Sequence, residues 1–60
     1  MNKSKLIDGI MGKPWPFVER VCSTMAGYKS YSNAGRCIDI EIDGQIVTIH
    51  DQPHRNYMVI

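Results

Sequence analysis

Arg36-Cys-Ile-Asp-Ile-Glu-Ile-Asp-Gly-Gln-Ile-Val-Thr-Ile-His50 consists of two alternating runs joined by Asp43-Gly44. Both central positions of a type I′ turn need positive φ, so Asp-Gly between such runs signals a two-residue β-hairpin. The turn sets the register. Ile42 then faces Gln45, Ile40 faces Val47 and Ile38 faces Ile49, an apolar set that reads as core. Cys37 with His50, Asp39 with Thr48 and Glu41 with Ile46 share the opposite face.

A lone hairpin is marginal in water, so the rest of the chain must cover its apolar side. Residues 3–11 carry Leu6, Ile7, Ile10 and Met11 at helical spacing, with Asn2 or Ser4 able to cap the start and Gly12 suited to C′. Gly9 inside that run costs about 1 kcal/mol relative to Ala, so this helix depends on packing. Lys13-Pro-Trp-Pro16 predicts an extended turn, because a residue before proline is pushed away from αR, and Pro14 or Pro16 can open a second helix. Phe17, Val18, Val21, Cys22, Met25 and Ala26 form its apolar stripe, and Gly27 is its expected stop. Residues 28–35 read as a loop or irregular edge strand, 51–56 as a turn, and 57–60 as a short strand able to pair with 45–50. The expected fold is α+β: two N-terminal helices packed on a C-terminal antiparallel hairpin or three-stranded meander, one small domain over residues 1–60.

Size and charge restrict function. Sixty residues lie where a single core is only marginally sufficient. With Met1 first and apolar stretches of a few residues, neither a secretory leader nor a membrane span is expected, and the setting predicted is cytoplasmic. Free thiols follow from such a setting. Cys22 lies in the helical stripe and Cys37 on the polar hairpin face, so the two should not meet, and Cys37 should be the more reactive. The formal charge is +1, and Lys3, Lys5, Lys13, Arg20, Lys29, Arg36 and Arg55 form no run. Nucleic-acid-binding domains usually concentrate their cations.

Chemistry-bearing motifs are sparse. The chain holds no G-x-S-x-G, no H-E-x-x-H and no phosphate-binding glycine loop, so no catalytic residue and no cofactor are expected. Cys37, His50, Asp51 and His54 are metal-ligand types, but their spacing matches no common zinc motif. Asp39, Glu41 and Asp43 form a ridge of like charge at two-residue spacing, about 6.8 Å per step. That ridge reads either as a solvated face that blunts aggregation or as a partial mimic of nucleic-acid phosphates directed at a basic groove. Trp15 reads either as a lid on the core or as an exposed anchor, with Tyr28, Tyr31 and Tyr57 extending such a surface. The two helices around the Lys-Pro-Trp-Pro turn, with the hairpin as a wing, also allow a winged helix-turn-helix. Its recognition helix would offer Glu19, Arg20, Ser23 and Thr24, a single cation among them.

The segment from Gly35 to Asp51 resembles hairpins of very short phage and prophage proteins, in which an Ile-Asp-Gly hairpin precedes a Ser/His-Asp turn. The likeness covers about a quarter of the chain. Such proteins include stoichiometric inhibitors of host defences, anti-CRISPR proteins among them. The resemblance therefore implies a non-enzymatic module that binds another protein or protein complex, including at a nucleic-acid-binding surface, and it leaves room for homo-oligomers. Trp15, Tyr31, Asp39, Glu41 and Asp43 are the candidate partner-binding residues. A small winged helix-turn-helix regulator of nucleic acid is the alternative.

Overall fold

The computed structural model describes residues 3–60, with the side chain of Arg55 outside the description. Asn2, one candidate cap, is outside it too. Helix α1 spans Lys3–Ile10 and α2 spans Trp15–Ser23. Four strands follow: β1 at Lys29–Ser32, β2 at Arg36–Ile42, β3 at Gln45–His50 and β4 at Met58–Val59. They form one antiparallel sheet in the order β1-β2-β3-β4. The architecture is α+β, and the sheet has four strands where a hairpin or three-stranded meander was expected.

The hairpin register is the one the turn dictates. Ile42 is opposite Gln45, Ile40 opposite Val47 and Ile38 opposite Ile49, with Asp43 at φ 51 and Gly44 at φ 79. Ile38, Ile40, Ile42, Val47 and Ile49 are buried beneath Leu6 and Ile10 of α1 and Trp15, Val18 and Cys22 of α2. Every side chain of that set comes from one face of its element. Ser4 lies inside α1 rather than capping it. Gly12, at φ 79, closes α1 at C′ as its sequence position predicts, with Met11 N–H donating to the Ile7 carbonyl.

Helix α2 starts and stops earlier than its apolar stripe suggests. Pro14 is its N-cap in extended conformation and Pro16 sits in the first turn, where a missing N–H costs nothing. Its end comes at Ser23 because the Ser23 and Thr24 hydroxyls donate to the Arg20 and Val21 carbonyls, local bonds that compete with further helix. Met25 is left partly buried, and Phe17 and Ala26 are exposed. Gly27 does not end the helix but serves the next connection. At φ 70 it passes so close to β2 that a Cβ there would lie 3.2 Å from Cβ of Glu41. The Glu41 N–H donates to the Ala26 carbonyl across the same approach.

Strand β1 lies within the segment read as loop or irregular edge strand. Its residues are exposed or half-buried on both faces, so no apolar alternation announces it, and its ladder with β2 holds it. A three-residue connection, 33–35, with Ala34 at φ 55 and Gly35 at φ 135, returns the chain into β2. The tail pairs with β3 as anticipated, Ile49 opposite Val59 and His50 opposite Met58.

Trp15 is a core residue. It is 6% exposed and packs its ring against Tyr57 at 5.7 Å between centroids, tilted by 55°. The Tyr57 hydroxyl donates to the Lys13 carbonyl, so the tail is bolted to the turn between the helices. The exposed-anchor reading of Trp15 is corrected by this burial: its indole is spent on joining α2 to the tail.

Replacing Ile40, fully buried, by Asp places an unpaired carboxylate in the core at a cost of several kcal/mol. Domains of this kind have only about 5–15 kcal/mol to lose. Ile40→Asp is expected to abolish the cooperative thermal transition in circular dichroism, whereas Glu41→Gln, one residue along and exposed, is expected to leave it in place.

Candidate functional site

With the helices covering one side of the sheet, the other side faces solvent, and the register arranges its side chains in rows. Tyr31, Cys37, His50 and Met58 form one row across the four strands. Lys29, Asp39 and Thr48 form the next, completed by Ile60, which exchanges two main-chain hydrogen bonds with Thr48. Glu41 and Ile46 form the third.

The middle of this face is internally satisfied. Asp39 is half-buried and its Oδ1 accepts from the Thr48 hydroxyl at 2.8 Å and the Tyr31 hydroxyl at 3.0 Å. The hydrogen bond to that carboxylate, with partial burial and its negative charge adding to it, holds the Tyr31 hydroxyl above the ordinary phenol range. Lys29 Nζ lies 5.5 Å from the Tyr31 ring centroid, a cation–π contact. One member of the acidic ridge therefore differs from its sequence reading: Asp39 is tied into a network across three strands, while Asp43 sits in the turn, at φ 51, as the hairpin pattern dictates. Glu41 is the ridge carboxylate that stands exposed on the strand itself.

Cys37 lies on this face, as its register requires, but it is buried rather than exposed. The 33–35 connection folds over it, leaving Sγ 3.7 Å from the Gly35 carbonyl and 3.9 Å from that of Asn33. The His50 ring presses against the same connection: a Cβ on Gly35 would stand 3.1 Å from its Nε2. Both cysteines are free, one on each side of the sheet. Burial pushes the Cys22 thiol up to about 11. No three His, Cys, Asp or Glu among the described residues gather closely enough to hold a metal ion, and no cavity of ligand size opens between those residues. Arg36 meets Asp51 only loosely, Nε to Oδ2 at 3.9 Å, an exposed pair of small energetic weight.

What remains exposed at the other end of the face is apolar. Ile46 is 61% exposed, Ile60 66% and Met58 45%. Ile60 is opposite Thr48 and so diagonal to Ile46, within reach of it across the strands. The sequence marks residues 57–60 as a short strand pairing with 45–50 without assigning their faces; the alternation that sends Val59 inward sends Met58 and Ile60 outward. Compared with models of protein families, with curated proteins and with solved structures, the chain matches none. No helix among the described residues is long and apolar enough to cross a membrane.

Two measurements check this geometry. A raised folded-state pKa means the Tyr31 contact stabilises fully below the unfolded phenol value of about 10, and that contribution is lost as pH rises through the folded value. Tyr31→Phe should therefore melt below wild type at neutral pH, and the gap should close in alkaline buffer; a gap that ignores pH contradicts the network. Alkylation of the native protein should be slow at both Cys22 and Cys37 and become fast at both in denaturant.

Proposed function

We propose that this chain is a non-enzymatic protein-binding module that recognises its partner through the uncovered face of its sheet. One observation carries the reading: Ile46, Ile60 and Met58 stand exposed together on that face, beside Glu41. Large apolar side chains grouped on one surface of a small domain are the ordinary mark of an interaction site. Glu41, and Asp43 at the hairpin tip, supply a negative rim that fits a partner surface carrying cations. Tyr31 lies at the far corner of the same face, half-buried and held by Asp39.

The hairpin's likeness to those of short phage and prophage proteins supports a further step, that the partner is a host protein complex and the module its stoichiometric inhibitor, with defence complexes such as CRISPR-Cas as candidates. A cytoplasmic setting belongs to the same proposal and agrees with two free thiols. The winged helix-turn-helix alternative has less behind it. Helix α2 carries Arg20 as its one cation, and the Ser23 and Thr24 hydroxyls are already bonded within the helix.

Capture from a bacterial lysate on immobilised protein, read by mass spectrometry, tests the reading when run beside two variants. Ile46→Lys and Glu41→Lys each place a cation on the recognition face and are expected to lose the captured partner while keeping the wild-type circular dichroism spectrum. Phe17→Ser, on the exposed side of α2, is expected to keep it. Retention by the first two and loss by the third would move the site to the helices. A salt-dependent mobility shift with duplex DNA, lost in Arg20→Ala, would favour the nucleic-acid reading instead.

A further inference from the structure

The two edges of the sheet are unequal. Strand β4 is two residues long, whereas β1 runs for four, Lys-Ser-Tyr-Ser, with no proline and its single charge at its first position. Ser30 and Ser32 point to the helix side of the sheet, yet both are exposed, because the helix layer does not extend over β1. The direction of the main-chain groups follows from alternation along the ladders. Thr48 exchanges both bonds with Ile60, so its groups face β4 and those of Ile49 face β2. Ile49 pairs with Ile38, so the groups of Cys37 and Asp39 face β1, where they meet Tyr31 and Lys29. The N–H and C=O of Ser30 and Ser32 are left pointing outward along the open edge.

We propose that this edge pairs with the same edge of a second copy, antiparallel about a two-fold axis, giving one continuous sheet of eight strands. One register sets both serines of each copy against serines of the other. Opposing Ser30 with Ser32 of the other copy lets the outward groups of both serines exchange all four of their hydrogen bonds, which places Tyr31 opposite Tyr31 at the axis. Side chains approach most closely at such a non-hydrogen-bonded position, and an aromatic pair there is favourable. Lys29 falls opposite Asn33, and the two Lys29 residues are separated by four strand rises, about 14 Å, so like charges do not meet. Natural sheets guard an unpaired edge with charge, proline, bulges or brevity. Strand β1 has neither proline nor bulge, and its one charge, Lys29, stands at its end rather than at its middle, while β4 is protected by brevity. The pairing leaves the Ile46, Ile60 and Met58 strip open on both copies, so it goes beyond the partner-binding reading and does not depend on it.

Light scattering on a sizing column and sedimentation equilibrium of the full chain read the outcome. Wild type should give about twice the 6.8 kDa of the single chain. Ser30→Pro removes an outward N–H without touching the ladder to β2, and should return the mass to that of one chain with an unchanged circular dichroism spectrum. If that variant does not fold, the double change Ser30→Lys and Ser32→Lys serves instead, since it sets like charges directly opposite one another across the axis. Amide exchange at Ser30 and Ser32 gives an independent readout, slow in concentrated protein and fast on dilution. A wild-type chain of single mass, exchange at these amides that ignores concentration, or a dimer that survives both variants would each overturn the proposal. So would a monomer that takes up a strand from a different protein at β1. Ile46→Lys should leave the mass unchanged, which separates a failure here from a failure of the partner surface.

Discussion

Asp43 and Gly44, both at positive φ, close β2 onto β3 with Ile42 opposite Gln45, and side chains along a strand alternate, so this one pairing decides the fate of every residue in the hairpin. A slip by one residue would leave Ile38 and Ile40 on one face of the hairpin and Val47 and Ile49 on the other, so that the helices could cover only one of the two pairs. No rearrangement of α1 and α2 could offset that. The helices consequently have one place to dock, and their small apolar faces are sized to that sheet surface: Leu6 and Ile10 from one, Trp15, Val18 and Cys22 from the other. The uncovered side of the sheet is the complement of the same decision.

A chain of sixty residues has few contacts in reserve, which explains the use made of Trp15 and Tyr57. Their ring contact and the Tyr57 bond to the Lys13 carbonyl join the tail, the second helix and the turn before it in one place. Without that fastening, β4 would be a two-residue strand held by little more than its ladder to β3. Gly27 plays a related part elsewhere, letting the chain pass Glu41 more closely than a side chain would allow as it leaves the helices for the sheet.

The hairpin, its register, both helices and the pairing of the tail were legible because each rests on local chemistry: an Asp-Gly turn, a C′ glycine at position 12, prolines at a helix start, period-two alternation. Strand β1 was not, since Lys-Ser-Tyr-Ser carries no apolar face and exists through its ladder to β2, an interaction between residues distant in sequence. The same holds for the candidate site. Alternation put Asp39 on the outer face, but only the ladder brings Tyr31 there, beside Cys37 and within reach of Asp39, turning a ridge carboxylate into a hydrogen-bonded centre. Burial of Cys37 was hidden for a like reason, because its cover is the 33–35 connection.

That centre also shapes what the outer face can recognise. Asp39 Oδ1 already accepts from Tyr31 and Thr48, and swinging that half-buried carboxylate toward an incoming cation would cost the sheet a contact shared by three strands. Recognition must then rest on groups that bind without disturbing the fold. Ile46, Ile60 and Met58 meet that condition by exposed apolar area, and Glu41 by a charge that is free to point outward. The face thus divides its labour across the strands: hydrogen bonds at its middle hold β1, β2 and β3 together, and the apolar strip along β3 and the tail is the part that a partner can cover at no cost to the fold.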